Sequence, residues 1–504
     1  MNHGVLHLTK IKIKNNKMKK IFAILITTCI SLTLFAQNEN DALRYSLLNY
    51  GGTSRFTGMS GAYGAVGADF SSLSQNPAGI GLYRKSEFSI TPLLNNSSTQ
   101  SNYLNTQSTD FRNTLYLGNV GYVMAIKLNE NNGSHLKQVQ FGFGMNRTSM
   151  FSNRIVVEGQ NNDNSLLSQY LDDADASGSS RSSLNDFGAG LAYDVNLLFQ
   201  DTSNIWQADL PNGGLHQTKT IETRGGISET VLSAGTNFDD KLFLGITFGF
   251  PHINYQEESK YTESDNNNLS PYLKSFDRTE YLNTKGNGFN FKFGFIYKPV
   301  DFIRIGGAFH TPTSYGDMHD SYGSTMTAYF DQPPLSDNNA TRFEASSPDG
   351  SYDYKITTPM RALGSLAVII GQYGLLSADY EYVDYSTARL RASDYNFLDE
   401  NNTIRTTFAA ANNFRFGTEW KAGVYAIRGG YSIYGSPYKG ESTLGLGSRT
   451  GYSLGFGIHE KAYFIDFSFN HIDSKDKYYI YGYAPASDNK YNSNSYSFTL
   501  GFRM

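Results

Sequence analysis

The residues with the chemistry for catalysis are abundant serines and four histidines that fall near the ends of predicted strands: His310, His319, His459 and His471. Serine hydrolysis requires a histidine that takes the serine proton and an acidic group that orients the histidine. Barrel-shaped lipases and proteases place such groups near a barrel rim, so an enzyme is one hypothesis. No Gly-x-Ser-x-Gly sequence stands on a predicted strand-to-helix turn, where that nucleophile motif forms. We therefore predict no catalytic residue.

Metal and cofactor chemistry has equally little support. Asp317, His319 and Asp320 could supply metal ligands, but an isolated loop cluster of this kind is usually solvated. The glycines at 286–288 lack the following helix and lysine of a phosphate-binding loop. The one cysteine, Cys29, lies in a segment that we expect to be removed, although a lipoprotein cysteine is the alternative. We predict no metal and no cofactor.

The composition favours a protein made of many β-strands. The chain has 504 residues, of which 17% are charged, whereas an average soluble protein has about 25%. Aromatic residues reach 14% and are nearly all Tyr (36) or Phe (34). A large helical enzyme would carry more Ala, Leu, Glu and Lys. The net charge of −4, with no long block of one sign beyond the N-terminal segment, argues against nucleic acid as a partner.

The N-terminal segment has the three parts of a secretory signal peptide. A lysine-rich stretch precedes the mostly apolar run 21–35, and the small residue Ala36 follows it. The apolar run is too short to span a membrane comfortably as a permanent helix. We expect residues 1–36 to be removed by cleavage near Ala36, and we interpret residues 1–17 as a candidate upstream extension. The mature chain would then begin at Gln37.

From residue 86 onward, segments of about ten residues alternate between apolar and polar side chains, the period of a β-strand with one apolar face. In residues 242–250 every even position is apolar, and the odd positions include Gly245 and Thr247. The alternation recurs in residues 289–297, 463–470 and 496–502. The polar faces carry charges at Lys292, Asp379, Glu381, Arg415, Glu419, Arg428 and Asp466.

Two architectures can use such strands. A soluble sandwich turns its apolar faces inward, whereas a membrane barrel turns them to lipid. Three features favour the barrel: the apolar faces are rich in aromatic residues, the signal peptide takes the chain out of the cytoplasm, and Phe502 ends the last strand two residues from the C-terminus. We therefore predict an all-β transmembrane antiparallel barrel.

The connections between strands alternate between long and short, as the external loops and periplasmic turns of outer-membrane barrels do. We count fourteen candidate strands and assign residues 86–504 to the barrel. Long connections are predicted near 96–111, 158–217, 262–272, 328–342, 393–404, 435–449 and 471–491, and short ones near 129–136, 239–240, 298–301, 371–373, 420–423 and 459–461. The longest, near 158–217, is predicted to be an external loop that is partly helical, because Leu166, Leu167, Tyr170 and Leu171 have helical spacing.

Residues 37–85 lack the alternation of strands, and we predict that they form an N-terminal hatch, or plug, inside the barrel. Small residues are dense in this segment, and Gly58, Gly61, Ala62 and Gly64 form its predicted small-residue core. Small residues let backbone segments pack closely. A flexible linker would lack the apolar anchors found here, which are Met59, Val66, Phe70, Leu73 and Ile80.

Three pieces of the hatch carry a family resemblance: Arg55 with Gly58-Met59-Ser60-Gly61-Ala62, then Ala68-Asp69-Phe70-Ser71-Ser72, then Asn76-Pro77-Ala78-Gly79. They resemble the FadL/TodX family of outer-membrane transporters for hydrophobic compounds. Segments around 299–306, 414–420 and 427–431 look similar too. The resemblance implies a fourteen-stranded barrel closed by a hatch. It also implies that ligand passes the hatch region and leaves sideways through the wall near a kinked strand.

The resemblance assigns roles to two groups of residues. Asn76, Pro77, Ala78 and Gly79 are the predicted hatch motif, in which Pro77 fixes its own φ and Asn76 hydrogen-bonds backbone in a turn. Glycines weaken or bend strands, so Gly142 and Gly144 in the third strand are the predicted kink and lateral opening. The alternative is that these glycines relieve crowding inside the barrel. No ligand-binding residue is assigned.

The sequence thus predicts a transporter of a Gram-negative outer membrane. Its expected function is passive, hatch-gated uptake of long-chain fatty acids or a similar hydrophobic compound such as an aromatic hydrocarbon, without covalent chemistry. Expected partners are that small molecule, the bilayer with its lipopolysaccharide, and the barrel-assembly machinery during biogenesis. A lipase-like outer-membrane enzyme and a general porin or surface adhesin are the alternatives.

Overall fold

The computed structural model describes residues 39–128, 135–209, 214–334, 340–440 and 447–504. The predicted signal peptide at 1–36, including Cys29, lies outside these residues, as do residues 37–38 of the predicted hatch. The chain from Glu39 to Met504 packs as one unit. Most of the described residues belong to long antiparallel strands.

The strands follow the alternation of apolar and polar residues, which fixes the two faces of each strand. In chain order they are Glu87–Tyr103 (β1), Thr106–Lys127 (β2), Leu136–Met150 (β3), Asn153–Asn161 (β4), Leu198–Gln200 (β5), Trp206–Ala208 (β6), Leu215–Phe238 (β7), Leu242–Ser264 (β8), Leu273–Val300 (β9), Ile303–His310 (β10), Ser314–Phe330 (β11), Arg342–Ser346 (β12), Gly350–Thr357 (β13), Arg361–Ile370 (β14), Gly374–Asp384 (β15), Arg389–Arg391 (β16), Ala410–Ala422 (β17), Tyr425–Tyr434 (β18), Arg449–His459 (β19), Tyr463–Tyr479 (β20) and Ala486–Arg503 (β21).

All of these strands except the β5–β6 hairpin join one antiparallel sheet, and the sheet closes because β21 pairs with β1. Four barrel strands are interrupted and therefore appear as several segments: β3 with β4, β10 with β11, β12 with β13 and β14, and β15 with β16. Counted as continuous strands, the wall has fourteen. The predicted fold, a closed transmembrane barrel of fourteen strands, is confirmed.

The two faces of the wall differ sharply. Phe248, Phe416 and Phe498 expose 41 to 47% of their surface on the outer face, whereas Thr247 and Arg415 on the inner face are buried. An outer face rich in aromatic residues is typical of a barrel in lipid, and it excludes the soluble sandwich. No helix in the described ranges is long and apolar enough to cross a membrane.

Two of the predicted long connections are wrong. The first, predicted near 96–111, is a tight turn at Leu104 and Asn105, both with positive φ, between strands that extend through the whole predicted loop. Likewise, β20 and β21 run through most of the predicted connection 471–491 and leave only residues 480–485 between them. Both hairpins extend with polar residues on both faces, so the alternation that marks a strand within the membrane disappears from the sequence.

The connection between β4 and β7 forms a packed cover. It contains the helices Leu166–Ser177 (α3) and Ala189–Asp194 (α4) and the 3-10 helix Arg181–Ser183, with the helices Glu39–Arg44 (α1), Ser54–Thr57 (α2) and Leu398–Thr407 (α5) elsewhere; these labels follow chain order. Ser165 caps the start of α3 by accepting a hydrogen bond from the Leu167 amide. The buried side of α3 packs against the ends of β8, β9 and β11 in one apolar cluster.

The N-terminal segment lies inside the barrel. α1 packs in one apolar cluster with residues of β7, β8, β11, β13 and α5. The chain continues through α2 and the 3-10 helices Phe70–Ser74 and Pro77–Leu82 and enters β1 at Glu87. Nearly every residue from Gly51 to Tyr83 is buried. This segment, residues 51–83, is called the hatch below.

Candidate functional site

The hatch is folded by short-range caps. Thr53 and Asp69 accept hydrogen bonds from the Phe56 and Ser71 amides, and so begin α2 and the first 3-10 helix. Asn76 begins the second 3-10 helix, because its Oδ1 accepts from the Ala78 amide at 3.1 Å. Since Pro77 has no amide hydrogen, it fits the first position of that helix.

The predicted motif residue Asn76 also joins the hatch to the wall. Its Nδ2 donates to the Gly64 carbonyl at 2.6 Å within the hatch and to the Phe295 carbonyl of β9 at 3.2 Å. Three backbone groups from separate parts of the chain therefore meet at one amide side chain. Ala78 and Gly79 follow in the helix, and the Gly79 carbonyl accepts from the Ala68 amide at 2.9 Å.

A chain of buried charges fastens the other side of the hatch. Arg55 donates twice to Glu419 of β17, from Nε at 2.8 Å and from Nη2 at 2.9 Å. Glu419 also accepts from Arg428 of β18 at 2.7 Å, and Arg428 donates to Asp466 of β20 at 2.7 Å. The side chains of Glu419, Arg428 and Asp466 are fully buried. The charges that the sequence placed on polar strand faces are thus paired with one another and with the hatch.

Hydrogen bonds attach the hatch around most of the circumference. Gly64 N and Gln75 Nε2 both donate to Asp379 Oδ2 of β15, each at 3.0 Å. The remaining contacts, from strand to strand, include Thr247 of β8 to the Leu73 carbonyl, His310 of β10 to the Gln75 carbonyl, Ser453 of β19 with Ser60, Ser468 of β20 with Thr57, and Ser497 of β21 with Ser54. An attachment this complete holds the hatch across the lumen.

The small residues of the hatch permit close approach. A Cβ at Gly64 would lie 1.9 Å from the Ser365 hydroxyl, and one at Gly58 would lie 3.2 Å from the Gly455 Cα. Gly61 has φ of +72°, a conformation that favours glycine. Ala62 is completely buried. The predicted small-residue core is therefore where the hatch backbone meets the wall.

Asp69 is a buried acid inside the hatch. Burial raises the pKa of its carboxyl group above the usual value, while hydrogen bonds from Thr53 and Ser71 and the charge of Arg55 act in the opposite direction. The Thr53 hydroxyl donates to Asp69 Oδ2 at 2.6 Å. The ionisation of Asp69 is therefore coupled to the fold of the hatch.

The predicted kink residues do not mark a break in the wall. Gly142 and Gly144 lie within regular pairing, opposite Val123 and Gly121 of β2. A Cβ at Gly142 would lie 2.6 Å from a Leu73 methyl, and one at Gly144 would lie 2.6 Å from the Phe70 ring. These glycines make room for the hatch, which is the alternative that the sequence left open.

The wall separates further along the same strand. β2 pairs with β3 only from Asn119–Asn146 to Lys127–Gln138, and β4 pairs only with β7 among the described strands. The Ser97 and Thr99 hydroxyls, on the inner face of β1, donate to Asn153 at 2.9 and 3.0 Å. β4 therefore begins on the inner side of the wall, and its edge leaves β2. We call this unpaired stretch, between residues 106–118 and β4, the seam.

Side chains fill the seam. The Tyr116 hydroxyl crosses it and donates to the Gly225 carbonyl of β7 at 3.1 Å. The Arg147 guanidinium lies 4.9 Å from the centre of the Tyr116 ring. Thr114 and Ser152 share a hydroxyl hydrogen bond of 2.5 Å. At the seam, side chains replace the backbone hydrogen bonds that join neighbouring strands along most of the wall, so the wall is weakened here.

A cavity of about 500 Å³ lies directly inside the seam. One side of the cavity is lined by Gly51, Thr57, Ser60 and Gly61 of the hatch and by Tyr50, the residue that precedes the hatch. The junction of β3 and β4 supplies another through residues 150–153. Ligand pockets in proteins have volumes of about 300 to 1,000 Å³. We call this space the lumen cavity.

The candidate catalytic groups do not lie together at the lumen cavity. Gly451-Tyr452-Ser453-Leu454-Gly455 has the spacing of a nucleophile motif but lies inside the regular strand β19, and Ser453 bonds to the hatch. His319 pairs with exposed Asp353, and His459 with Asp466. Within the described ranges, no group of three or more His, Cys, Asp or Glu side chains could hold a metal ion.

The seam and the lumen cavity were missed in the sequence. Tyr116 and Arg147 belong to no motif, and residues of the cavity come from seven or more separate segments. The one available signal was the sequence around Phe151, where the alternation of the third strand stops at Met150-Phe151 before it resumes. A loss of period inside a strand indicates a bulge or break.

The fold and site define a class: a closed fourteen-stranded transmembrane barrel whose lumen is crossed by an N-terminal hatch. Among solved structures, it is similar to a Pseudomonas aeruginosa FadL homologue, with 13% identity, a TM-score of 0.50, and coverage of 91% of this chain and 99% of that one. It is also similar to the Pseudomonas putida toluene transporter TodX, with 11% identity, a TM-score of 0.51, and coverage of 91% and 98%. No family model and no curated protein matches the sequence. The resemblance to FadL and TodX is therefore confirmed as a likeness of fold.

Proposed function

We propose that the chain is an outer-membrane channel for the passive entry of hydrophobic compounds, with long-chain fatty acids or similar molecules as its substrate class and the hatch as its gate. The observation that carries the proposal is the hatch, held across the lumen beside a cavity and a seam in the wall. The proteins that share the fold are named as a FadL homologue and a toluene transporter, which supports this class of substrate.

The geometry suits entry in two steps. A ligand in the lumen cavity touches the hatch at Thr57, Ser60 and Gly61, and it touches the β3–β4 junction beside the seam at Phe151 and Ser152. Movement of the hatch would open a path toward the periplasm, and separation of the seam would open a path into the bilayer. Neither step needs covalent chemistry or a cofactor. Because the seam is joined by side chains rather than backbone hydrogen bonds, it costs less to separate than the parts of the wall whose strands are paired by backbone hydrogen bonds.

The same proposal includes the location of the protein and the molecules that it contacts. A signal peptide cleaved near Ala36 would deliver the chain to the periplasm, and the barrel-assembly machinery would insert it. Its aromatic outer face would contact the bilayer and lipopolysaccharide. A general porin keeps a water-filled lumen, which the hatch opposes, and no arrangement in the site favours an enzyme.

Uptake by intact cells tests the function. Cells that lack their own fatty-acid transporter would express the chain either intact or without residues 76–78, at matched surface levels, and receive labelled long-chain fatty acid. We expect uptake with the intact chain and altered uptake with the deletion, because Asn76 joins three backbone groups. No uptake by a folded intact barrel would reject fatty acids, and aromatic compounds would then be assayed in the same cells.

A reversible lock tests the hatch more directly. The Ser54 and Ser497 hydroxyl oxygens are 3.0 Å apart, so Ser54→Cys with Ser497→Cys joins the hatch to β21 as a disulfide. The matched control is Thr325→Cys with Ser346→Cys, whose hydroxyl oxygens are 2.9 Å apart on β11 and β12, away from the hatch. Oxidation should block uptake in the first pair and leave it unchanged in the control, and reductant should restore it. Unchanged uptake through a locked hatch would reject gating.

A further inference from the structure

We propose that the lumen cavity selects amphiphiles whose head group is uncharged and rich in hydroxyl groups, as in an alkyl glycoside, over fatty acids and over plain hydrocarbons. This inference rests on the proposed function and ranks the substrates within it: fatty acids still enter the channel, but neutral amphiphiles bind more tightly in the cavity. It depends on the residues that line the cavity, on their charges and on their hydrogen bonds.

The cavity has a mixed arc and an adjoining polar arc. The mixed arc lies on β1, β4, β7 and the β3–β4 junction, where Leu93, Met150, Phe151, Ile155 and Ile221 alternate with Asn95, Ser97, Ser152, Asn153 and Thr223. The strands β18, β20 and β21 supply the polar arc with neutral side chains: Ser432, Ser468, Asn470, Ser474, Ser493 and Ser495. Ser468, Ser493 and Ser495 already bond within the protein, whereas Ser432, Asn470 and Ser474 make no side-chain hydrogen bond within the described residues. A plain hydrocarbon would cover these three groups without bonding them, which costs free energy. Two such arcs suit a molecule with an alkyl chain and a polar head.

The charges of the lining balance. It contains two arginines and two carboxylates among the described residues, Arg44, Arg449, Glu257 and Asp476. Arg44 pairs with Asp41 at 2.5 Å, and Arg449 donates to Asn49 at 2.6 Å and lies 4.8 Å from the Tyr434 ring. The Tyr255 and Tyr491 hydroxyls donate to Glu257 and Asp476. A carboxylate head group would add an unbalanced charge to a lining that holds no surplus of cations.

Tyrosine completes the lining. Five tyrosines line the cavity: Tyr50, Tyr255, Tyr434, Tyr478 and Tyr491. Tyrosine combines a flat apolar surface with a polar tip, which suits the mixed faces of a sugar ring.

Binding to the whole barrel in lipid nanodiscs provides the test. The probe is a radiolabelled alkyl glucoside, and the competitors carry the same alkyl chain on a carboxylate, on a trimethylammonium group, or on no head group at all. Empty nanodiscs give the background from partition into lipid. We expect the glucoside to bind at least about tenfold more tightly than the fatty acid, which corresponds to roughly 1.4 kcal/mol.

A paired variant shows which arc selects the head group. Asn470 and Ser474 make no side-chain hydrogen bond within the described part of the chain, so Asn470→Leu with Ser474→Ala should preserve the barrel. This variant should bind the glucoside about tenfold more weakly, without weakening the fatty acid. The matched control, Asn283→Leu with Ser275→Ala, changes the same residue types on β9, outside the cavity, and should bind like the unchanged protein.

The outcomes separate the two proposals. A fatty acid that binds as tightly as the glucoside, or an equal loss of both ligands in the polar-arc variant, overturns the selection by head group and leaves hatch-gated transport standing. If no competitor shows saturable binding to a folded barrel, the lumen cavity is not a ligand site and the selection falls with it. In that case the disulfide lock still decides whether the hatch gates uptake.

Discussion

Replacing Arg55 by Met should loosen the hatch without unfolding the barrel. Arg55 makes two charge-assisted hydrogen bonds to Glu419, whose side chain is fully buried. Removing one partner of a buried ion pair costs about 3 to 5 kcal/mol. Because Glu419 keeps Arg428 at 2.7 Å, we expect the lower end, about 3 kcal/mol. The open hatch lacks this ion pair in either protein, so the change destabilises only the closed state.

A loss of about 3 kcal/mol raises the open fraction about a hundredfold. Thr499→Cys serves as the reporter, since Thr499 is fully buried against the hatch, where its hydroxyl donates to the Ser54 hydroxyl at 3.0 Å. The chain's one native cysteine lies in the predicted signal peptide. When the hatch opens and closes faster than a water-soluble maleimide reacts, the labelling rate follows the open fraction. Arg55→Met should therefore accelerate labelling about a hundredfold, while heat-modifiable migration on a gel shows that the barrel remains folded.

The matched control is Arg84→Met. Arg84 pairs with Asp240 at 2.7 Å, but both side chains are about half exposed, and such surface pairs contribute only about 0.2 to 1 kcal/mol. This control should change labelling by no more than about fivefold. If Arg55→Met accelerates labelling no more than Arg84→Met does, the buried charges do not hold the hatch and the reasoning fails.

Four further changes should behave as follows. Asn76→Ala removes a helix cap and two other hydrogen bonds, so labelling should accelerate at least about tenfold, and an unchanged rate would mean that the motif does not hold the hatch. Gly294→Ala would place a Cβ 1.9 Å from the Asn76 amide oxygen and should have a similar effect, whereas a normal rate would show that the contact relaxes freely. Tyr116→Phe loses only the hydrogen bond to Gly225, so lateral release into lipid should rise in proteoliposomes while hatch labelling stays constant. Because the pKa of Asp69 is raised in the closed hatch, its protonation stabilises the closed state at acid pH, and this stabilisation is lost as the pH rises through the raised pKa. Asp69→Asn should therefore flatten the rise in labelling rate over that pH range. A pH profile identical to that of the unchanged protein would contradict this account.

The sequence was sufficient for the wall of the barrel. A residue's face in a strand follows from local alternation alone, so the aromatic outer faces and the charged inner faces could be predicted before any strand was paired. The ends of the strands could not be predicted as well from the sequence. The first hairpin continues to Leu104 with polar residues on both faces, and no period in the sequence distinguishes it from a loop.

The residues that form the hatch could be predicted from the sequence, but the wall residues that hold it could not. Small residues and the Asn76 motif marked it, because caps and close backbone packing depend on neighbouring residues. Its partners did not follow, since Arg55 meets Glu419 across 364 positions. That meeting depends on which strand faces α2 after the barrel has closed, a property of strand order and register that no local pattern encodes.

By itself, the sequence determined the two-faced strands, the hatch segment and the charges that needed partners. Only the tertiary structure decided where the wall is weak. Gly142 and Gly144 looked like a kink in the sequence, but their missing side chains accommodate Leu73 and Phe70 of the hatch. The seam instead begins beyond Asn146, where β4 turns inward and leaves the edge of β2. Whether a strand pairs with its neighbour depends on the positions of both strands. The physical reason for the seam therefore lies in the packing of three strands and not in the residues of one.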